Sequence, residues 1–110
     1  MLKYNSTQPK EAQIQLAICD YLALKKLFFW RQNTGGVYDA KAGFHRPMPK
    51  YSMNGVPDII VIKNGQFIGL EVKRPKSKPS DHQLEFQKQC ILNKAEYYVV
   101  TSIYDVMKIL

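Results

Sequence analysis

Acids and cysteines are both scarce in this sequence, and each shortage excludes something. Nine Asp and Glu stand against sixteen Lys and Arg, a formal net charge of +7 in 110 residues. That balance favours a polyanionic partner, although charge alone does not separate nucleic acid from an anionic membrane. Only two cysteines occur, Cys19 and Cys90, far apart in segments of helical character. A disulfide-built secreted scaffold is therefore excluded, and both thiols are predicted to be reduced core residues. No Cys/His spacing suits zinc. No apolar run approaches the ~20 residues needed to span a bilayer. Met1-Leu2-Lys3-Tyr4-Asn5 lacks the apolar centre and small-residue cleavage site of a secretory signal. An intracellular, cytoplasmic protein with no membrane partner is expected. Hydrophobic residues at 45% and charged residues at 23% exclude a disordered tail. The length leaves room for one core, hence a single domain over 1–110 with an N-terminal extension over 1–8.

From Pro9 to about Leu27 the pattern is helical. Ile14, Ala17, Ile18, Tyr21, Leu24 and Phe28 recur at steps of three and four, one apolar stripe with Pro9 suited to the first turn. Phe28-Phe29-Trp30-Arg31 has strand propensity and is ended by Asn33-Thr34-Gly35-Gly36. Residues 37–54 show neither period. They carry Lys41, His45, Arg46 and Lys50 with Tyr38, Phe44 and Tyr51, a basic loop long enough to be functional. The segments 58–62 and 66–73 are β-branched and flank Lys63-Asn64-Gly65, the strongest short-range hairpin signal. Both faces of these strands are apolar, so layers should cover the sheet on each side. Ser80-Asp81-His82-Gln83 reads as a capping box opening a helix to about Asn93. Tyr97-Tyr98-Val99-Val100 is a further strand, and a last helix follows Ser102 through Leu110. The predicted architecture is α/β, a small mixed sheet flanked by helices in the order α-β-β-β-α-β-α.

Register arithmetic then brings chemistry together. If Asn64-Gly65 is a two-residue turn, Lys63 faces Gln66, Ile62 faces Phe67 and Asp58 faces Glu71. Lys73 follows two residues later on the same face. Opposed carboxylates are destabilising unless compensated, and a hard divalent cation is the simplest compensator. The plainer alternative is an exposed pair at the sheet edge with Lys73 as an ion-pair partner, and a one-residue slip would part the acids. Glu11 lies on the apolar stripe of the first helix, though a first-turn acid also satisfies the helix dipole. Gln83 falls within an arc of Leu84, Phe86, Cys90 and Ile91, though the third position of a capping box suits Gln for local reasons.

Gly55-Val56-Pro57-Asp58, a hairpin and Glu71-Val72-Lys73 together resemble the PD-(D/E)xK nuclease signature. Glu11 on the first helix, Arg74-Pro75 after Lys73, and Ser80-x-x-Gln83 opening the next helix are similar to its virus-type replication-repair nuclease (VRR-NUC) branch. The likeness runs from about Glu11 to Leu110. It implies a PD-(D/E)xK core in which Asp58 and Glu71 bind Mg²⁺ or Mn²⁺ with the Val72 backbone carbonyl. By the same resemblance Glu11 would bind a second ion or hold water around the first. Lys73 would deprotonate or orient the attacking water, or act purely through its charge. Gln83 would position that water or a phosphate oxygen. The implied activity is a metal-dependent endodeoxyribonuclease acting as a homodimer on branched DNA such as four-way (Holliday) junctions, in the setting of DNA repair. A nuclease of flapped or linear DNA and a non-catalytic nucleic-acid-binding module are the alternatives.

Arg74, Lys76 and Lys78 after the Glu-x-Lys strand, and Lys41, Arg46 and Lys50 in the loop, are the candidate phosphate contacts. Each is also an ordinary solvated charge if no nucleic acid is bound. Tyr38, Phe44 and Tyr51 could stack on unpaired bases or pack against a second subunit. His45 and His82 read as surface residues.

Overall fold

The computed structural model describes residues 9–32, 38–39, 44–45 and 49–110. The expected N-terminal extension over 1–8, and Lys41 and Arg46 of the basic loop, lie outside the described residues. The elements run α1 (Glu11–Leu24), β1 (Phe28–Arg31), β2 (Tyr38–Asp39), β3 (Phe44–His45), β4 (Ile59–Lys63), β5 (Gln66–Val72), α2 (Asp81–Leu92), β6 (Glu96–Val100) and α3 (Ile103–Met107). The predicted order therefore holds, with one addition. β2 and β3 pair as a short antiparallel ribbon inside the stretch expected to be loop. Two-residue strands are too short to register as a period-2 pattern.

The main sheet has the order β1-β4-β5-β6, antiparallel except for the parallel β5-β6 pair. Asn64 and Gly65 both have positive φ, 52° and 80°, as a type I′ turn requires. The resulting register pairs Lys63 with Gln66, Ile62 with Phe67 and Ile59 with Leu70, the pairing predicted from the turn.

Alternation sorts the two faces. Ile59, Val61, Ile68, Leu70, Val72 and Val100 lie on one, packed with Ile14, Ile18 and Leu22 of α1 and Val106 of α3 in a buried cluster. Each such side chain contributes about 1.5–3 kcal/mol of transfer free energy. The opposite face carries Ile60, Gly69, Glu71 and Tyr97, with α2 packed on the β6 side.

The helices sit slightly rotated from their predicted stripes. In α1, Cys19 and Leu22 are buried beside Ile14 and Ile18, while Ala17 and Leu24 are exposed. Tyr21 is half-buried and Phe28 is exposed. A helix carrying apolar residues on neighbouring rows offers more than one stripe, and docking against the sheet selects among them. Pro9 stands before the N-cap, because Lys10 has an extended backbone and the helix starts at Glu11. In α2, Phe86 is half-buried and Cys90 buried, but Leu84 and Ile91 are exposed. The inward face is the narrow row 83-86-90, and Leu84 and Ile91 fall about 100° to one side of it. α3 ends at Met107 rather than Leu110. Both cysteines are buried free thiols. Among the described residues no helix is long and apolar enough to cross a membrane.

Candidate active site

The segment entering β4 is fixed from three sides. Gly55 has φ +80°, and a Cβ there would run into the His82 carbonyl and lie 2.8 Å from the Gln83 nitrogen. Glycine thus lets this turn rest on the first turn of α2. Pro57 is fully buried against Gly69, where an added Cβ would come within 2.5 Å of the proline ring. Gln32 then donates its backbone N–H to the Asp58 carbonyl at 2.7 Å. The outcome is a half-buried Asp58 whose Oδ2 accepts from the Val72 N–H at 2.8 Å. Asp58 is thereby held against the strand that carries Glu71, as continuation of the hairpin register requires.

Glu71 is 3% exposed and is the one buried charged side chain among the described residues. Its Oε2 accepts from Gln83 Nε2 at 2.7 Å. Its Oε1 is buried and receives no hydrogen bond. Burial pushes the carboxyl up to about 8, and the Asp58 charge and a carboxyl–carboxyl hydrogen bond with Asp58 push the same way. Lys73 pulls it down, and Glu11 adds a last upward push. The Asp58 carboxyl lies beside Glu71, and a hydrogen bond between the two needs a proton on one of them. Ionised, the two carboxylates meet as acceptors with no donor; a proton on Glu71 makes Asp58 its partner. A cation satisfies the same pair without the proton.

Gln83 does two things at once. Its Oε1 accepts from Ser80 N at 2.8 Å while its own N–H donates to Ser80 Oγ at 3.2 Å, completing the capping box. Its Nε2 remains for Glu71. Flipping the amide would set oxygen against carboxylate and NH₂ against N–H, so the network fixes its orientation. The local explanation and the site explanation of this residue are both satisfied by one side chain.

Other expected residues are placed less closely. Glu11 is exposed at the start of α1, on the row of Ile14 and Ile18, and reaches Glu71 only through its charge. Among the described residues no group of three or more His, Cys, Asp or Glu converges to hold a metal. The carboxylate pair is Asp58 and Glu71. Lys73 is half-buried, and its N–H donates to the Val100 carbonyl at 2.9 Å, carrying the strand pairing past β5. Arg74 is half-buried, whereas Lys76 and Lys78 are exposed on the connector that follows. Lys50 is exposed with its Nζ 5.1 Å from the Tyr51 ring centroid, and Tyr51 itself is 88% exposed. His82 is exposed, as expected.

Tyr97 was not singled out from sequence. It is buried in β6 opposite Gly69, its ring centroid 6.1 Å from that of Phe86. Its hydroxyl oxygen is buried with no hydrogen-bond partner. Burial raises the phenol pKa, and the charges of Glu71 and then Asp58 raise it further.

The donor set suits a hard divalent ion. It is all oxygen, half of it a buried carboxylate with an unfilled acceptor, and Mg²⁺ characteristically uses one or two protein carboxylates while keeping sites for water and phosphate. No family model and no curated protein matches the sequence. Among solved structures, a VRR_NUC domain matches with a TM-score of 0.65 and 22% identity, over 89% of this chain and 90% of that one. The chain has the VRR-NUC fold, to which Gly55-Val56-Pro57-Asp58 and Glu71-Val72-Lys73 pointed by resemblance.

Proposed function

We propose that the chain is a metal-dependent DNA endonuclease acting on branched DNA as a homodimer. The observation that carries this reading is the pairing of Asp58 with a buried Glu71 whose Oε1 lacks a donor, within a VRR-NUC fold. Asp58, Glu71 and the Val72 carbonyl would hold Mg²⁺ or Mn²⁺, which supplies Lewis-acid polarisation of a phosphate and a more acidic water. The protein groups then have separable tasks. Gln83 locks the Glu71 carboxylate by its Nε2 donor. Lys73, whose charge reaches Glu71, offsets charge gathering on the phosphate or takes the proton of the attacking water. Glu11 contributes negative charge from the exposed end of α1 and would orient water or a second ion. Arg74, Lys76, Lys78 and Lys50 would contact the phosphate backbone, and Lys41 and Arg46 are candidates for the same role by charge.

Branched DNA and the dimer belong together. A two-fold pair supplies two sites, one for each strand of a junction. The test incubates a labelled four-way junction, a flap and a linear duplex with Mg²⁺ or Mn²⁺ and with chelator. Asp58→Asn is expected to abolish cleavage, and Lys73→Ala to reduce it by about 100-fold or more, on the scale of a lost electrostatic or proton-transfer group. Wild-type-like cutting by Asp58→Asn would refute the site. Equal cutting of all three substrates would refute structure selectivity, and binding without cutting under either metal would favour a non-catalytic module.

A further inference from the structure

Two buried polar atoms share the α2-side face of the sheet without partners: Glu71 Oε1 and the Tyr97 hydroxyl. Tyr97 pairs with Gly69 and Val99 with Glu71 across the parallel β5-β6 ladder. Tyr97 and Glu71 are therefore diagonal neighbours on one face, a separation that aromatic and long side chains readily bridge. Leu70, between Gly69 and Glu71 in β5, belongs to the opposite face. The Tyr97 side chain has little freedom: it is 6% exposed and packed on Phe86.

A buried hydroxyl without a partner costs about 1–3 kcal/mol, and phenylalanine would fill the same space without that cost. The hydroxyl is therefore unfavourable for the fold by itself and needs its use elsewhere. A phenol both donates and accepts, and at neutral pH it keeps its proton. What it lacks is a partner, and Glu71 Oε1 is the other unpartnered buried oxygen on its face.

We propose that Tyr97 is a positioning residue, whose hydroxyl bonds to the Glu71 carboxylate, directly or through one water, when that carboxylate holds a divalent cation. This rests on the proposed metal-dependent reading of the Asp58–Glu71 pair. Gln83 would hold one side of the carboxylate and Tyr97 the other, leaving Glu71 a single orientation toward the ion. Groups that orient a metal-ligating side chain in this way commonly change affinity 10–100-fold when removed.

The test compares wild type, Tyr97→Phe and Asp58→Asn by calorimetric Mn²⁺ titration and by thermal melting with and without Mn²⁺. Tyr97→Phe is expected to melt no lower than wild type in chelator, to bind Mn²⁺ about 10-fold more weakly, and to gain less melting temperature from it. If the hydroxyl served only the fold, Tyr97→Phe would melt lower than wild type in chelator and bind Mn²⁺ unchanged; either result overturns the proposal. If Asp58→Asn loses Mn²⁺ binding while Tyr97→Phe matches wild type, the role of Tyr97 fails and the metal reading stands. If wild type and Asp58→Asn bind Mn²⁺ alike, the metal reading fails and takes this role with it.

Discussion

Replacing Glu71 by glutamine isolates one titration whose sign and size follow from the site. The Glu71 carboxyl moves from its ordinary 4.5 up to about 8 in the folded, cation-free protein. Between those two values the folded chain retains a proton that the unfolded chain has released. Stability from this group is thus complete below about pH 4.5 and is lost as pH rises through about 8. At about 1.4 kcal/mol for each tenfold change in proton affinity, the whole displacement corresponds to roughly 5 kcal/mol. Asp58 and Lys73 beside it are only half-buried, so water screens the cluster, and we expect about 2 kcal/mol. Urea unfolding in chelator, at about pH 5 and about pH 8.5, should show wild type losing that amount relative to Glu71→Gln. Added Mg²⁺ should remove most of the loss at the higher pH, because it favours the ionised carboxylate. Parallel pH profiles for the two proteins, or a wild type that gains on Glu71→Gln as pH rises, would refute this account of the pair.

Three further substitutions probe the supports of the site. Gln83→Glu keeps an acceptor for Ser80 N but turns a carboxylate toward Glu71, so it should lose about 2 kcal/mol near neutral pH and recover on acidification, read by the same urea curves. Gly55→Ala meets the His82 carbonyl at a φ of +80°, and should cost about 2 kcal/mol or more in a thermal melt while depressing cleavage. Lys94→Gly should instead stabilise by about 0.5–1 kcal/mol in urea unfolding with cleavage unchanged. Lys94 closes α2 at φ 62° with Ala95 N donating to Cys90 O and Lys94 N to Ile91 O, a Schellman end where glycine is the relaxed residue.

What could be read from the sequence was whatever a short stretch of chain determines by itself. Asn64-Gly65 sets its own turn, and a two-residue turn leaves one register, so the approach of Asp58 to Glu71 follows from counting. Ser80 and Gln83 form their box within a single turn of helix, and Gln83 could be placed inward from the row it shares with Phe86 and Cys90. The rotation of α1 was not readable. Ala17, Leu24, Cys19 and Leu22 are all acceptable on an apolar stripe, and only the shape of the sheet surface decides that the last two go inward. The β2-β3 ribbon was missed because two residues per strand carry no period.

Tyr97 marks the sharper boundary. Its own segment says strand, and its aromatic ring says core; nothing nearby says site. Its place beside Glu71 depends on β6 pairing in parallel with β5 after a helical crossover, with Gly69 opposite. A slip of one residue in that pairing would turn the hydroxyl to the α1 side, into the apolar cluster. Gly69, the register partner of Tyr97, admits Pro57, which helps seat Asp58. The local half of the site, Asp58-turn-Glu71-Lys73, is thus written within sixteen consecutive positions. Its tuning is supplied across the sheet, and it is the tuning that a helix crossover hides from any reading of neighbours along the chain.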